Sequence, residues 1–508
     1  MAQAAAHRGA LQARGRAESQ GRRSMAPAMP QAEQDGGVAD VPESERDRTI
    51  LAPKPRAGPA KPPGEILFVT AREIYDSRGA PTVEVDVWTP LGQFRASAPS
   101  GASKGKYEAL EVRDGDRSRV MGKGVLKAVH NVQQVIGPQL VGLDATRQDA
   151  IDQLMVERCD GSRNEWGCPK STLGANAIVA VSMAVCRAGA VARGKRLFQH
   201  IASLARKPED EFVLPVPAFS ALSGGCIAGN RLACRSVTLL PTGASSFHAA
   251  MRVGTEVYHE LKRVVGARYG QDACSVGDEG SFAPPVLSNT EAFDVIMDAI
   301  RASGHSSVVA IGADVSASEF YMESSMKYDI DFKNPNGSQT DDKKNSEDLA
   351  NVYEAWVAKY PLVCIEDPFD PQDLAAYAKL AKAMAGKTRV VGGDLLASNP
   401  KRIAIASDRG LCDTLLLKVG QIGTVTEAIN AAQLATDAGW TVMVADRLGE
   451  TEDSFIADLA VGLGAKQIKA GAPCRSERIS KYNRLIRIEA ELTEAGMGVY
   501  AGSNFKQP

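Results

Sequence analysis

From about residue 308 onward, short apolar runs end in a charged residue and an Ala-rich helical stretch follows each of them. The runs are VVAIGAD ending at Asp314, VCIE at Glu366, VVGGD at Asp394, LLLK at Lys418, VMVADR at Asp446 and Arg447, and QIK at Lys469. From Glu366 on, successive ends lie 28, 24, 28 and 23 residues apart, and the 52 residues between Asp314 and Glu366 leave room for one longer unit. A strand, a helix and two loops take roughly 20–30 residues, so this rhythm predicts repeated βα units. An open doubly wound sheet would give the same spacing. The chain lacks a G-x-G-x-x-G fingerprint, however, and its charged residues gather at strand C-termini. In a (β/α)8 barrel those termini converge on one mouth, where active sites sit. The spacing therefore favours an α/β chain whose C-terminal part is a barrel.

The rest of the chain divides at about residue 64. Residues 1–64 contain no Phe, Tyr or Trp, and such a segment buries too little apolar surface to offset its ordering entropy. It is expected to be a disordered extension. Five Arg against one acid in the first 24 residues leave organelle targeting open beside a plain tail. From Glu65 the pattern tightens. TVEVDVW (82–88) alternates as a half-buried strand does and, with 66–74 and 94–96, predicts a small antiparallel sheet. Helical stretches follow near 122–136, 145–157 and 172–204. The expected order is an α+β domain over 65–210, a linker near 206–213 and the barrel over 211–508.

Composition narrows the function classes. A net charge of −2 gives no electrostatic reason to expect nucleic acid or an anionic membrane. No apolar run is expected to reach the length of a membrane span, the nearest being Ala177 to Cys186. The nine cysteines are scattered without a C-x-x-C pair, which predicts free thiols and a reducing, cytoplasmic setting. A single carboxylate at a strand end is usually a helix cap or a surface charge. Several Asp and Glu converging with two Lys need partners or a metal, and oxygen ligands suit Mg²⁺. A metal plus a lysine base can remove a proton next to a carboxylate and hold the resulting enolate.

Ten segments make the reading specific. YDSRGAPTVEV (75–85), SGASKGKYEALEVRDGD (100–116), KSTLGANAI (170–178), VGDEG (276–280), SEF (318–320), IEDPF (365–369), NPKRI (399–403), LLLKVGQIGT (415–424), GETEDSFIADL (449–459) and IKAGAPCRSER (468–478) resemble segments of enolase, in order and at matching spacing. The resemblance implies an enolase-type barrel with an N-terminal α+β capping domain, commonly as a homodimer. It implies dehydration of 2-phosphoglycerate to phosphoenolpyruvate with two Mg²⁺, the phosphopyruvate hydratase step of glycolysis. By motif, Lys418 would be the base and Glu279 the acid at the leaving hydroxyl. Lys469 would grip the substrate carboxylate and Arg447 the phosphate. Asp314 and Glu366 would bind the first Mg²⁺, and Ser103 would reach the second when its loop closes.

The same resemblance exposes departures. The family histidine of N-G-G-S-H-A-G is Ile227, and the family Gln-Glu is Arg235-Ser236. The family Asp-Asp is Gly393-Asp394, which removes the third ligand of the first Mg²⁺, and Ser-His-Arg-Ser is Ala445-Asp446-Arg447-Leu448. Asp394 is expected to face away, because strand neighbours point to opposite faces. Arg235 is a candidate partner for Asp446. One lost acid or electrostatic stabiliser lowers a rate by about 10²–10⁴. The expectation is an enolase with severely reduced activity and a weakened first metal site; the alternative is an inactive enolase-fold scaffold. Restoring the family residues at 227, 236, 393 and 446 is expected to raise activity.

Overall fold

The computed structural model describes residues 61–101, 105–339 and 342–507. The extension up to residue 60 and Ser103 therefore lie outside the described residues.

The first elements form an antiparallel sheet. β1 (Phe68–Tyr75) pairs with β2 (Pro81–Thr89), which pairs with β3 (Gly92–Ser97). Val83, Val85 and Val87 of β2 are fully buried, as the alternation predicts. The opposite face is not open, however. Asp86 is also buried, its carboxylate held by Arg72 and by Arg95 at 2.7 Å, so ion pairs close the face that alternation alone would leave to water.

α1 (Ala175–Ala192) runs across this sheet, and α2 (Leu197–Leu204) follows it. Here the membrane-span expectation needs correction. α1 has 18 residues and a mean hydropathy of 1.6, enough by length and composition to cross a bilayer. Its apolarity serves the core instead: 83% of it is buried inside the protein, and Ser182 in its middle accepts the Val425 N–H at 2.9 Å.

The barrel strands are β4 (Val216–Pro217), β5 (Phe219–Ser223), β6 (Ser236–Leu240), β7 (Ala310–Asp314), β8 (Leu362–Glu366), β9 (Arg389–Gly392), β10 (Thr414–Leu417), β11 (Thr441–Ala445) and β12 (Gln467–Lys469). Their order in the sheet is β4-β12-β11-β10-β9-β8-β7-β6-β5. The two ends of that order, β4 and β5, are separated in the chain only by Ala218, so the sheet closes on itself. It is a departure from a fully parallel barrel that β6 runs antiparallel to both neighbours. The link from β5 to β6 holds no crossover helix, and a parallel pair needs one. Val216, Leu240, Cys364, Val391, Leu416, Met443 and Ala445 fill the barrel interior.

This closure puts the chemistry at one mouth. Asp314, Glu366 and Lys469 are the last residues of β7, β8 and β12, and Lys418 and Asp446 directly follow β10 and β11. Because β6 is reversed, it brings its first residue, Ser236, to the same mouth, opposite Asp314 in the ladder.

Candidate active site

A single small cavity of about 40 Å³ at the mouth is lined by Arg235, Glu279, Asp314, Asp394, Lys418, Asp446, Arg447, Leu448 and Lys469, among others. Most of the residues that the sequence singles out thus meet. Glu366 stands just behind, bonded to Lys469. Ile227 lies apart, in a half-buried turn after β5, and Gly393 does not line the cavity. Asp394 does, against expectation. β9 ends at Gly392, so the alternation of a strand no longer governs residue 394.

Lys418 and Glu279 line the same cavity. Glu279 is buried and accepts a hydrogen bond from Ser220 Oγ at 2.9 Å. The Lys418 backbone is pinned by Ser398 Oγ at 3.0 Å, which sets the side chain at the rim, and its ammonium makes no hydrogen bond or ion pair with the described residues. An unengaged lysine facing a buried carboxylate across so small a space is what a base and an acid acting on adjacent carbons require.

The other cations are already occupied. Lys469 Nζ lies 2.7 Å from Asp314 Oδ2 and 2.8 Å from Glu366 Oε2. Burial works against its charge, but Asp314, Glu366 and Glu279 more than reverse that and hold it above the ordinary lysine value. The two carboxyls separate in response. Burial is outweighed by Lys469 and Arg235 at Asp314, which falls, whereas burial and the Asp314 charge raise Glu366. Arg447 donates to Glu108 Oε2 at 2.8 Å, with both side chains under 10% exposed. This pair lies between the inner cavity and a cleft of about 400 Å³ that Arg78, Glu111 and Lys123 also line. While Glu108 keeps Arg447, that guanidinium is not free to meet an anion in the inner cavity. Neither Glu108 nor Arg478 is singled out by the sequence reading, although both lie inside segments that resemble the family.

The donor set does not fit a divalent cation. Among the described residues no three His, Cys, Asp or Glu side chains converge on one point. The two expected ligands, Asp314 and Glu366, both bond Lys469. Position 393 offers no room for a third. A Cβ on Gly393 would lie 2.5 Å from Asp367 Oδ2 and 3.0 Å from Leu416 Cδ2. Asp367 is fixed there, accepting the backbone N–H groups of Gly393, Asp394 and Leu395 at 3.0, 2.6 and 3.2 Å. Gly393→Asp is therefore expected to destabilise the fold by about 1–3 kcal/mol in urea unfolding, through overpacking and a second carboxylate beside Asp367. An unchanged midpoint would show that Asp367 can move. The expected restoration at 393 needs this correction.

Asp446 and Arg235 do not pair. Asp446 is bonded to Arg478, a fully buried guanidinium that also donates to the carbonyls of Arg447, Asp278 and Leu448. Arg235 lines the same cavity, but its one ion-pair neighbour among the described residues is Glu319, with Nε 4.0 Å from Oε1. Burial pushes the Asp446 carboxyl up to about 7; Arg478 opposes the rise, and Glu450 and Glu279 reinforce it. An unfolded aspartate keeps its proton only below about 3.9. The native state thus holds an extra proton between about pH 4 and 7. Stability from this group is full at the acid end and is lost as pH rises through 7. Asp446→Asn removes that slope. The melting temperature of Asp446→Asn relative to the parent chain should climb from pH 5 to pH 8, and a constant difference would refute the assignment.

Ser236 stands at the same mouth, and its buried hydroxyl has no hydrogen-bond partner among the described residues, Glu279 included. Leu448, also buried, brings an aliphatic side chain to the cavity beside Arg447.

Comparison with known proteins agrees with this geometry. Residues 66–201 match the family model described as the enolase N-terminal domain. Residues 211–508 match the enolase C-terminal TIM barrel domain. The chain is 55% identical over 443 residues to an enolase of Eimeria tenella, covering 87% of this chain and 99% of that protein. It is 53% identical over 446 residues to an enolase of Solanum lycopersicum, covering 87% of this chain and 98% of that protein. A closed α/β barrel with acids and lysines at its mouth, matched along its length by these models and relatives, means that the chain belongs to the enolase family.

Proposed function

We propose that the chain is a phosphopyruvate hydratase, converting 2-phosphoglycerate to phosphoenolpyruvate and water, with severely reduced turnover. The observation that carries this reading is the pairing of an unengaged Lys418 with a buried Glu279 across one cavity, in a chain of this family. Lys418 takes the proton from the carbon bearing the phosphate. The hydroxyl on the next carbon leaves as water with a proton from Glu279. Lys469 and Arg447 are read as the holders of substrate carboxylate and phosphate, and Ser103 as a loop residue that closes on the site.

Three features support the reading of reduced turnover. Glu279 works without a second acid, since Ser236 offers only an unpartnered hydroxyl. The phosphate side carries Asp446 and Leu448. Arg447 must first leave Glu108. Magnesium, which enolases use, would meet Asp314 and Glu366 only after Lys469 releases them. The same reading divides the chain into a capping domain over 65–210 and a barrel over 211–508. It also carries a homodimer and a cytoplasmic setting, as in enolases generally. The test is a steady-state assay of phosphoenolpyruvate formation from 2-phosphoglycerate over a range of Mg²⁺. Slow turnover supports the proposal. Turnover at the rate of the tomato enolase run alongside would remove the claim of impairment, and none at all would leave the scaffold reading.

A further inference from the structure

Arg235 is the one cation of the cavity that the reaction above leaves without a task. It immediately precedes β6, whose first residue is opposite Asp314, so the ladder itself sets Arg235 at the rim beside the acids. It lines the cavity together with Asp314, Asp394 and Glu279. The acids that act most strongly on its charge are Asp314, Asp394, Glu279 and Glu319, in that order. Its nearest ion-pair partner, Glu319 at 4.0 Å, is beyond hydrogen-bond distance, and that carboxylate already accepts the Cys226 N–H at 2.6 Å. Among the described residues, the Arg235 guanidinium makes no hydrogen bond. A guanidinium carries five N–H donors in a rigid fork that matches a carboxylate.

Lys469 is in the opposite state. Two of its three donors are spent on Asp314 and Glu366. It can offer a ligand one bond at most while it holds both. With Asp446 taken up by Arg478, the charges at the mouth set Glu108, Glu279, Asp314, Asp394 and, just behind, Glu366 against Arg235, Lys418, Arg447 and Lys469. Without Arg235 the acids would exceed the cations by two, a deficit that a divalent ion would close. With Arg235 present the deficit is one, and a divalent ion would overshoot it while facing a fixed positive charge in low dielectric.

We propose that Arg235 joins Lys469 as a resident cation of this carboxylate cluster: with Lys469 on Asp314, Arg235 keeps a divalent metal from Asp394 and Glu279, and it receives the carboxylate of a small anionic ligand with its free N–H fork. The ligand class rests on the function proposed above; the metal exclusion does not. The cavity then binds its ligand without metal, and Arg235 is a specificity-determining residue rather than a vestige.

Two calorimetric titrations of the full chain test this. In EDTA, 2-phosphoglycerate binds the parent chain, and Arg235→Gln weakens that binding at least about tenfold, the size expected for a lost charged hydrogen bond. With Mn²⁺ alone, the parent chain shows no saturable site in the millimolar range, whereas Arg235→Gln acquires one. Arg235→Lys, which keeps the charge but not the fork, still excludes Mn²⁺ and loses part of the 2-phosphoglycerate affinity. Thermal melts establish that each variant is folded; if Arg235→Gln is not, Arg235→Lys carries the 2-phosphoglycerate readout and Arg235→Met the Mn²⁺ readout. A saturable Mn²⁺ site in the parent chain that Arg235→Gln leaves unchanged would overturn the proposal. So would metal-free binding of 2-phosphoglycerate that does not respond to Arg235. These outcomes are separable from turnover: a chain that shows the binding changes but no dehydration overturns the activity alone, and one that turns over with unchanged binding overturns this inference alone.

Discussion

Replacing Lys469 by methionine is expected to lower the stability of the chain by about 3–5 kcal/mol, the range for breaking a buried ion pair from one side. The side chain is nearly the same length, so the loss is of charge rather than volume. Asp314 and Glu366 are both over 90% buried and share the Lys469 ammonium. Without it, two carboxylates at neighbouring strand ends face one another with no direct cation between them. One of them must then take up a proton at neutral pH. The sign of the pH dependence follows. The raised carboxyl contributes stability below its unfolded value, near 4, and loses it as pH rises through the raised value. The deficit of Lys469→Met against the parent chain should therefore be larger at pH 8 than at pH 5. Urea unfolding at the two pH values reads both. A deficit under about 1 kcal/mol at pH 8 would mean that Arg235 alone neutralises the pair.

Lys418→Ala is expected to lower kcat by about 10²–10⁴ while leaving stability within about 0.5 kcal/mol. The contrast with Lys469 comes from their partners. Lys418 holds no side chain in place, so its removal leaves no buried charge behind, whereas Lys469 holds two acids. Because the activity is expected to be low already, the measurement is single-turnover formation of phosphoenolpyruvate at enzyme excess. A rate unaffected by Lys418→Ala would move the base elsewhere. Among the cavity lysines only Lys469 remains, and its charge is held in place by two carboxylates.

The repeat of apolar runs ending in charges reads directly as strands β7 to β12, because a parallel barrel strand is apolar on both faces and its exit is where polarity resumes. The alternation of 82–88 and the ordered family segments are equally visible in one dimension. The residue types at the mouth follow from them, as do the vacancies in the family pattern at Ile227, Ser236, Gly393 and Leu448. What sequence reasoning misjudged depends on direction and partnership. Strand alternation turns Asp394 outward, yet β9 stops before it and the turn held by Asp367 points it into the cavity. Charge complementarity suggests Arg235 for Asp446, yet Arg478 reaches it from far along the chain.

The linear order of residues thus determined the family, the barrel and the set of chemical groups available to the site, since these depend on periodicity and residue type. Only the closed sheet decided which groups are free and which are spent. It laid Lys469 between Asp314 and Glu366, set Arg447 on Glu108 and left the Lys418 ammonium and the Arg235 guanidinium without a hydrogen bond at the cavity among the described residues. Those outcomes depend on distances of a few ångströms between strand ends that lie tens to hundreds of residues apart, where the low dielectric of a buried mouth makes every charge answer to its nearest neighbour.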